Sequence, residues 1–299
     1  MFSNFLIDRY KRLYDKKTLE GLNSSLDTSI RINTLKIKEP RLVKRLREKG
    51  IKLTKIPWVK HGYTINKTPF SIGATPEYLL GYYFIQDPTS MYASEVLEPE
   101  KTDLVLDMTA APGGKTTGLS QQMENKGTIV ALDLNRQRMK SLRSNVTRMG
   151  SENVIAIRTD ALKIESLGLS FDKILLDAPC TGTGTVFKNP EARKKDETDV
   201  KKCTQLQWQL LEAALGVLKK KGTMLYCTCS MLPEESELII QKAIDKHNIR
   251  LEEIPQGNPA LTNVYGTKLS NEIKKVKRFY PHIHHTQGFF VAKIRKQGN

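Results

Sequence analysis

Several things are missing from this sequence of 299 residues, and each absence narrows what it can be. No apolar run is long enough to span a bilayer, so a membrane protein is not expected. The opening Met1-Phe2-Ser3-Asn4 lacks the charged, apolar and cleavage regions of a signal peptide, and a cytoplasmic location is expected. Cysteine is scarce, at four residues. Cys180, Cys203, Cys227 and Cys229 form no Cys-x-x-Cys, so no common zinc pattern and no metal site is expected. A reducing compartment also argues against a disulfide framework. There is no Gly-x-Gly-x-x-Gly for a dinucleotide, and a P-loop fails because Thr109 stands where its first glycine belongs. No internal repeat or low-complexity tract occurs. Negative charge is in short supply: 32 acidic residues face 48 lysines and arginines, a formal net charge of +16. An excess of that size points to a polyanion partner, and nucleic acid is expected.

What is present centres on Val105–Thr117. The apolar Leu104–Leu106 reads as a buried strand closed by Asp107. A small-residue turn, Thr109-Ala110-Ala111-Pro112-Gly113-Gly114, leads to a helix near Lys115. Strand, glycine turn and helix start are the parts of a nucleotide-type cofactor site in an open α/β sheet. A plain tight turn is the alternative. An acidic residue about twenty positions beyond such a turn is placed to bind ribose hydroxyls. Asp133, closing the strand Thr128–Asp133, answers that description. The pattern suits adenosine without a pyrophosphate, as in S-adenosylmethionine.

The rest of the chain alternates strands and helices. A helix is expected near Phe5–Tyr14, and an alternating strand with one polar face over Ser29–Lys36. A helix from Glu39-Pro40 to Gly50 carries an apolar stripe of Leu42, Val43 and Leu46 and a basic load of Lys44, Arg45, Arg47 and Lys49. Ile51–Ile56 returns as a strand. This basic β-α-β unit is either a scaffold for a sheet edge or an RNA-contacting appendage, and its charge favours RNA. Pro69–Tyr83 reads as a connector and Met91–Leu97 as a helix. Asn135–Met149 reads as a helix with Met139, Leu142, Val146 and Met149 on one face. Strands follow at Val154–Arg158, Phe171–Pro179, Gly222–Ser230 and Gly288–Ile294, with helices at Gln205–Leu218 and Glu234–His247. The alternation implies a mostly parallel sheet covered on both faces. Asp160, past the third strand, is placed to accept from an adenine amino group or to cap a helix, and the two roles are compatible.

Two strand ends carry reactive groups. One reads Asp177-Ala178-Pro179-Cys180-Thr181, the other Tyr226-Cys227-Thr228-Cys229-Ser230. Ligands in open α/β sheets bind beyond the carboxyl ends of strands, so Asp177, Cys180 and Cys229 are expected to face the cofactor crevice. A lone cysteine is more often a small buried hydrophobe, and Cys203 fits that. A pair at two strand ends beside a cofactor turn fits a chemical role better.

Asp177-Ala178-Pro179-Cys180 together with Thr228-Cys229-Ser230 resembles the two signature motifs of the RNA cytosine-5 methyltransferases of the Nol/Nop/Sun type. Arg31-Ile32-Asn33-Thr34-Leu35-Lys36, Ala110–Lys115, Pro233-Glu234-Glu235, Pro281–Thr286 and Gly288-Phe289-Phe290 fit the same family. The sequence departs from it at Gln287, where an acid is frequent, and at Thr109, where many members carry cysteine. The matches run from Ser29 to Lys293. The resemblance implies an α/β fold: a Rossmann-like S-adenosylmethionine-dependent methyltransferase sheet over residues 95–299, with a small N-terminal α+β appendage and connector over 1–94. It implies that Cys229 adds to C6 of cytosine, making C5 able to attack a methyl group. Cys180 then assists loss of the C5 proton and release, and Asp177 hydrogen-bonds the base at N3 and N4. It also implies cofactor contacts from Thr109, Ala110, Ala111, Pro112, Gly113, Gly114, Lys115, Asp133, Arg138, Asp160 and Asp177. The target base must leave its stack to reach such a pocket.

The chain shows no added RNA-binding module and resembles the short archaeal tRNA members, so tRNA is expected ahead of ribosomal RNA. Two other classes stand beside this one. One is a catalytically silent RNA-binding or assembly protein, against which the intact cysteine pair counts. The other is a methyltransferase of DNA or protein, which the two-cysteine signature does not suit.

Overall fold

The computed structural model describes residues 2–298. In chain order its elements begin with helices α1 (Asn4–Leu13) and α2 (Lys16–Asn23), strand β1 (Ser29–Ile32), α3 (Glu39–Glu48), β2 (Lys52–Lys55) and β3 (Gly62–Lys67). Then come α4 (Pro76–Leu79), β4 (Tyr83–Ile85), α5 (Pro88–Val96), β5 (Leu104–Asp107), α6 (Gly114–Gln122), β6 (Thr128–Asp133), α7 (Arg136–Met149) and β7 (Val154–Arg158). The remainder is β8 (Phe171–Asp177), α8 (Glu197–Val217), β9 (Leu218–Thr228), α9 (Glu237–Lys246), β10 (Ile249–Glu252), β11 (Asn258–Pro259), β12 (Asn263–Val264), β13 (Thr267–Lys268), β14 (Lys277–Phe279), α10 (Pro281–His284) and β15 (Phe289–Lys296). Residues 27–161 form one compact unit, and residues 2–26 with 162–298 form a second.

In the unit of residues 27–161, β2, β3, β1 and β4 form an antiparallel sheet in that order. The expected β-α-β unit is therefore split: β1 and β2 run parallel, with β3 hydrogen-bonded between them. Leu42, Val43 and Leu46 of α3 pack on Ile30, Ile32 and Leu53. The alternating strand expected over Ser29–Lys36 ends at Ile32, and all its residues are buried. Two causes are visible. β1 is flanked on both edges, and its polar face is covered, with Arg31 donating to Thr117 of α6. Asn33 then turns the chain, its side-chain amide bridging the carbonyls of Gly81 and Met149 at 2.8 and 2.7 Å.

The same unit holds the parallel strands β5, β6 and β7. Asn135 caps α7, its side-chain oxygen accepting from the backbone N–H of Gln137 and Arg138, a contribution of about 1 kcal/mol. Gly150 ends the helix at φ +69°, a left-handed conformation that costs glycine little. Met139 and Leu142 pack on Ala110, Ala111 and Ala131. The expected apolar face of α7 thus lies against the turn after β5. Each such buried side chain contributes about 1.5–3 kcal/mol.

In the second unit β8 and β9 are parallel neighbours, and β15 runs antiparallel to β9. β14 and β10 are also antiparallel to β15, so this unit is less parallel than the alternation of elements implied. α8 starts at Glu197 rather than Gln205, roughly two turns earlier. Asp196 and Asp199 form a reciprocal capping box there, which stabilises a start too polar to show a helical period. Conversely α9 starts at Glu237, because Pro233–Glu235 forms a separate 3-10 turn. From the N-terminus, Leu6, Tyr10 and Leu22 bury against Val186, Met231 and Leu232. Tyr14 donates its hydroxyl to the Met231 carbonyl. The segment following Cys229 is therefore backed by α1 and α2.

Candidate active site

The turn after β5 is held through both its N–H and its carbonyl groups. Ala110 donates its N–H to Leu132 of β6 at 2.7 Å, and Gly113 donates to Ala110 at 2.8 Å. Arg138, in the first turn of α7, donates to the Ala111 carbonyl at 2.6 Å. Asn145, two turns on, donates to that of Pro112 at 2.9 Å. The Ala111–Pro112 peptide is cis, and Gly113 sits at φ +103°, a backbone conformation only glycine adopts without strain. At the start of α6, Thr117 donates to the Gly113 carbonyl and receives Arg31, both at 2.7 Å.

Thr109–Lys115 thus lie in one turn, with Asp133 at the end of β6, Arg138 on α7 and Asp160 just past β7. All sit at the carboxyl ends of the three hydrogen-bonded parallel strands. Asp133 is 5% exposed. One carboxylate oxygen accepts from the Asn135 N–H at 2.9 Å. The other, Oδ2, is buried without a hydrogen-bond donor among the described residues, with Arg138 Nη2 at 3.4 Å. A buried acceptor left open at a strand end suits hydroxyl groups of a ribose, so these residues fit an adenosine-type cofactor.

Two supporting residues were not singled out from the sequence. Asn145 falls on the same face of α7 as Arg138, a placement helical spacing could have suggested. Arg31 lay inside a recognised motif without a role. Its guanidinium is buried, and burial lowers its pKa to about 9, opposed by the charge of Glu95.

The second unit holds the cysteines. The β8–β9 register pairs Asp177 with Cys227, so Cys180 and Cys229 leave adjacent strand ends. Their Sγ atoms are 3.3 Å apart. Asp177 closes β8, half-buried. The loops approach so closely that a Cβ on Gly184 would lie 2.2 Å from the Gly288 carbonyl oxygen and 2.8 Å from that of Cys229. Only a residue without Cβ fits there.

The Cys180 thiol is pushed well above its ordinary range. The hydrogen bond shared with Cys229 is the largest cause, followed by burial and by the negative charges of Cys229 and Glu235. The backbone N–H of Gly182 acts in the opposite sense. Cys180 therefore keeps its proton, and at 3.3 Å the two sulfurs share a hydrogen bond. Cys203, on α8, is half-buried, and burial pushes its thiol up to about 11. Cys227 is fully buried. Both behave as the small hydrophobes expected of isolated cysteines.

The basic helix α3 is less uniform than its sequence implied. Lys44 and Arg47 are exposed. Arg45 and Lys49 instead bind the fully buried Glu77, at 2.9 and 2.7 Å.

Residues 94–295 match the family model of the 16S rRNA methyltransferase RsmB/F, and residues 4–88 that of the N-terminal domain of 16S rRNA methyltransferase RsmF. The chain belongs to the RsmB/F methyltransferase family. Among its relatives is the tRNA (cytosine(49)-C(5))-methyltransferase of Pyrococcus abyssi, 36% identical over 97% of this chain and 95% of that protein. A methyltransferase homologue of Pyrococcus horikoshii, solved by crystallography, superposes with a TM-score of 0.92 at 45% identity, covering 99% of this chain and 95% of the other. The crystal structure of NSun6 from the same organism with SFG gives 0.89 at 28% identity over 100% and 99% of the two chains. This chain spans only 39% of the length of the mouse 28S rRNA (cytosine-C(5))-methyltransferase, to which it is 36% identical. RsmB/F membership and these superpositions establish the Rossmann-like methyltransferase fold with an N-terminal domain. Among the described residues, no helix is long and apolar enough to cross a membrane, and no cluster of potential metal ligands occurs.

Proposed function

We propose that this protein methylates C5 of cytosine in RNA, with tRNA as its substrate class and S-adenosylmethionine as the methyl donor. The observation that carries this reading is the Cys180–Cys229 pair, 3.3 Å apart at neighbouring strand ends. Two sulfurs within reach of one base are what a two-cysteine addition and elimination requires, one to add to C6 and the other to assist at C5. The cofactor, when bound, supplies an electrophilic methyl group on a sulfonium. Asp133 would take its ribose hydroxyls and Asp160 its adenine amino group, while Thr109–Lys115 and Arg138 would complete the contacts.

Cys229 attacks C6 of the flipped base, forming an S–C6 bond and making C5 enamine-like. Asp177 holds the base at N3 and N4 during this step. Once C5 carries the methyl group, the C5 proton passes to water with the assistance of Cys180, and the C5–H electron pair restores the C5=C6 double bond. The S–C6 electron pair returns to Cys229, and the product is free. Exposed cations such as Lys44 and Arg47, in the segment 1–94, bind phosphates. A cytoplasmic location goes with that substrate class.

The near-complete coverage of a tRNA enzyme favours tRNA. Ribosomal RNA is the second reading, favoured by the 28S rRNA relative that matches this chain along 100% of its length. Labelled methyl transfer to purified tRNA, rRNA, DNA and protein tests all of this. Label at C5 of cytosine in tRNA is expected. Label in rRNA alone would move the substrate class, and label in neither RNA would overturn the proposal.

A further inference from the structure

The geometry points to Glu235 as a positioning residue that locks the two cysteine loops together, an inference that rests on the function proposed above. Glu235 is fully buried at the end of the 3-10 turn Pro233–Glu235. Its Oε1 accepts from the backbone N–H of Thr181 at 2.8 Å and from the side-chain amide of Gln207 at 3.1 Å. Its Oε2 accepts from the hydroxyls of Thr181 and Ser230. Thr181 is the residue after Cys180, and Ser230 is the residue after Cys229. One carboxylate therefore grips the neighbour of each reactive sulfur.

The surrounding bonds extend the clamp. Gln207 also donates to the Pro179 carbonyl at 2.8 Å, so Cys180 is held from both sides. Ser230 Oγ receives the Leu232 N–H at 3.1 Å and lies 3.1 Å from Thr183 Oγ1, which in turn receives the Met231 N–H. An ionised carboxylate offers about four acceptor positions, and four donors fill them here. Burial leaves the Glu235 carboxyl above its ordinary range, although those donors oppose the shift. Glu235 and its donors Thr181, Gln207 and Ser230 are all buried, so the two loops cannot drift apart without leaving a buried charge short of donors. The same charge helps Cys180 keep its proton.

Glu235→Gln is the decisive variant, because it preserves size while removing the charge. The readouts are single-turnover trapping on 5-fluorocytosine RNA and the pH midpoint for alkylation of Cys180 by iodoacetamide. Trapping should slow by about tenfold to a hundredfold, the scale of ångström misplacement of reacting groups, with KM for RNA unchanged. The alkylation midpoint should move to lower pH, which a purely structural role would not produce. Glu235→Asp retains the charge and should leave that midpoint near the wild-type value. Wild-type trapping rate and midpoint in Glu235→Gln would overturn the proposal while leaving the methyltransferase reading intact. Failure of the wild-type protein itself to trap would instead overturn that reading, and this inference with it.

Discussion

Two turns of this chain follow strand ends, and they are held in opposite ways. The Thr109–Lys115 turn is surrounded by donors: Arg138 and Asn145 bind its carbonyls, and Arg31 binds Thr117 just beyond it. The cysteine loops are gathered around an acceptor, the carboxylate of Glu235. The difference is one of charge. In the first, a guanidinium and an amide reach backbone carbonyls of the turn. In the second, a buried carboxylate binds the residue that follows each sulfur.

The sharpest test of this contrast is at the sulfurs. Cys229→Ala should abolish methyl transfer and any covalent RNA complex. Cys180→Ala should instead accumulate an adduct on ordinary RNA that survives denaturing gel electrophoresis. The opposite assignment of adducts would reverse the two roles, and full activity in both variants would make the pair structural.

Next in size is the framework behind the acceptor-held loops. Arg278 and Glu237 form a fully buried two-pronged pair, and Arg278 also reaches the Ser230 carbonyl at 3.4 Å. Arg278→Leu should cost about 3–5 kcal/mol, because Glu237 is left as an uncompensated buried charge. Denaturant unfolding measures it, and a loss below about 1 kcal/mol would show that the loops do not depend on this pair.

The donor-held turn should break differently. Asp133→Ala removes the open acceptor, and cofactor affinity should fall by about 1.5–3 kcal/mol, the worth of hydrogen bonds to a charged group. RNA affinity should persist. Calorimetry with S-adenosylmethionine decides, and unchanged affinity in the folded variant would remove Asp133 from the site.

The smallest effect concerns α3. Neutralising Lys44 and Arg47 should make the log–log salt dependence of RNA binding shallower by about 0.7 for each phosphate that the variant no longer neutralises. Arg45→Ala is a different experiment despite its neighbouring position, since it deprives the buried Glu77 of a partner. It should lower stability more than it alters the salt slope. Equal changes of slope in both variants would place Arg45 on RNA as well.

Some of this was legible before any coordinates. Thr128–Asp133 and Val154–Arg158 occur as read, since apolar runs bounded by turns leave few alternatives. The apolar face of α7 was correct for the same reason: its spacing repeats over several turns. Less was visible where the signal is short or polar. The first turns of α8 have only Val200 buried, and their sign was the capping box. β3, reading Gly-Tyr-Thr-Ile-Asn-Lys, has few apolar residues, yet it splits the expected β-α-β unit.

The sequence by itself determined the chemistry on offer: two cysteines at strand ends, a glycine turn, an acidic residue closing the next strand, and an excess of positive charge. Those are local facts, written in residue type and spacing. Which carboxylates would be buried was not local. Glu77, Glu235 and Glu237 are each fully buried, although glutamate by itself argues for the surface. Their burial depends on donors from positions as distant as Arg45, Thr181 and Arg278. Only tertiary packing supplies enough hydrogen bonds to offset the cost of removing a charge from water. For the same reason only the folded protein decided which cations of α3 face solvent, and that Glu235 stands between the two loops that carry the sulfurs.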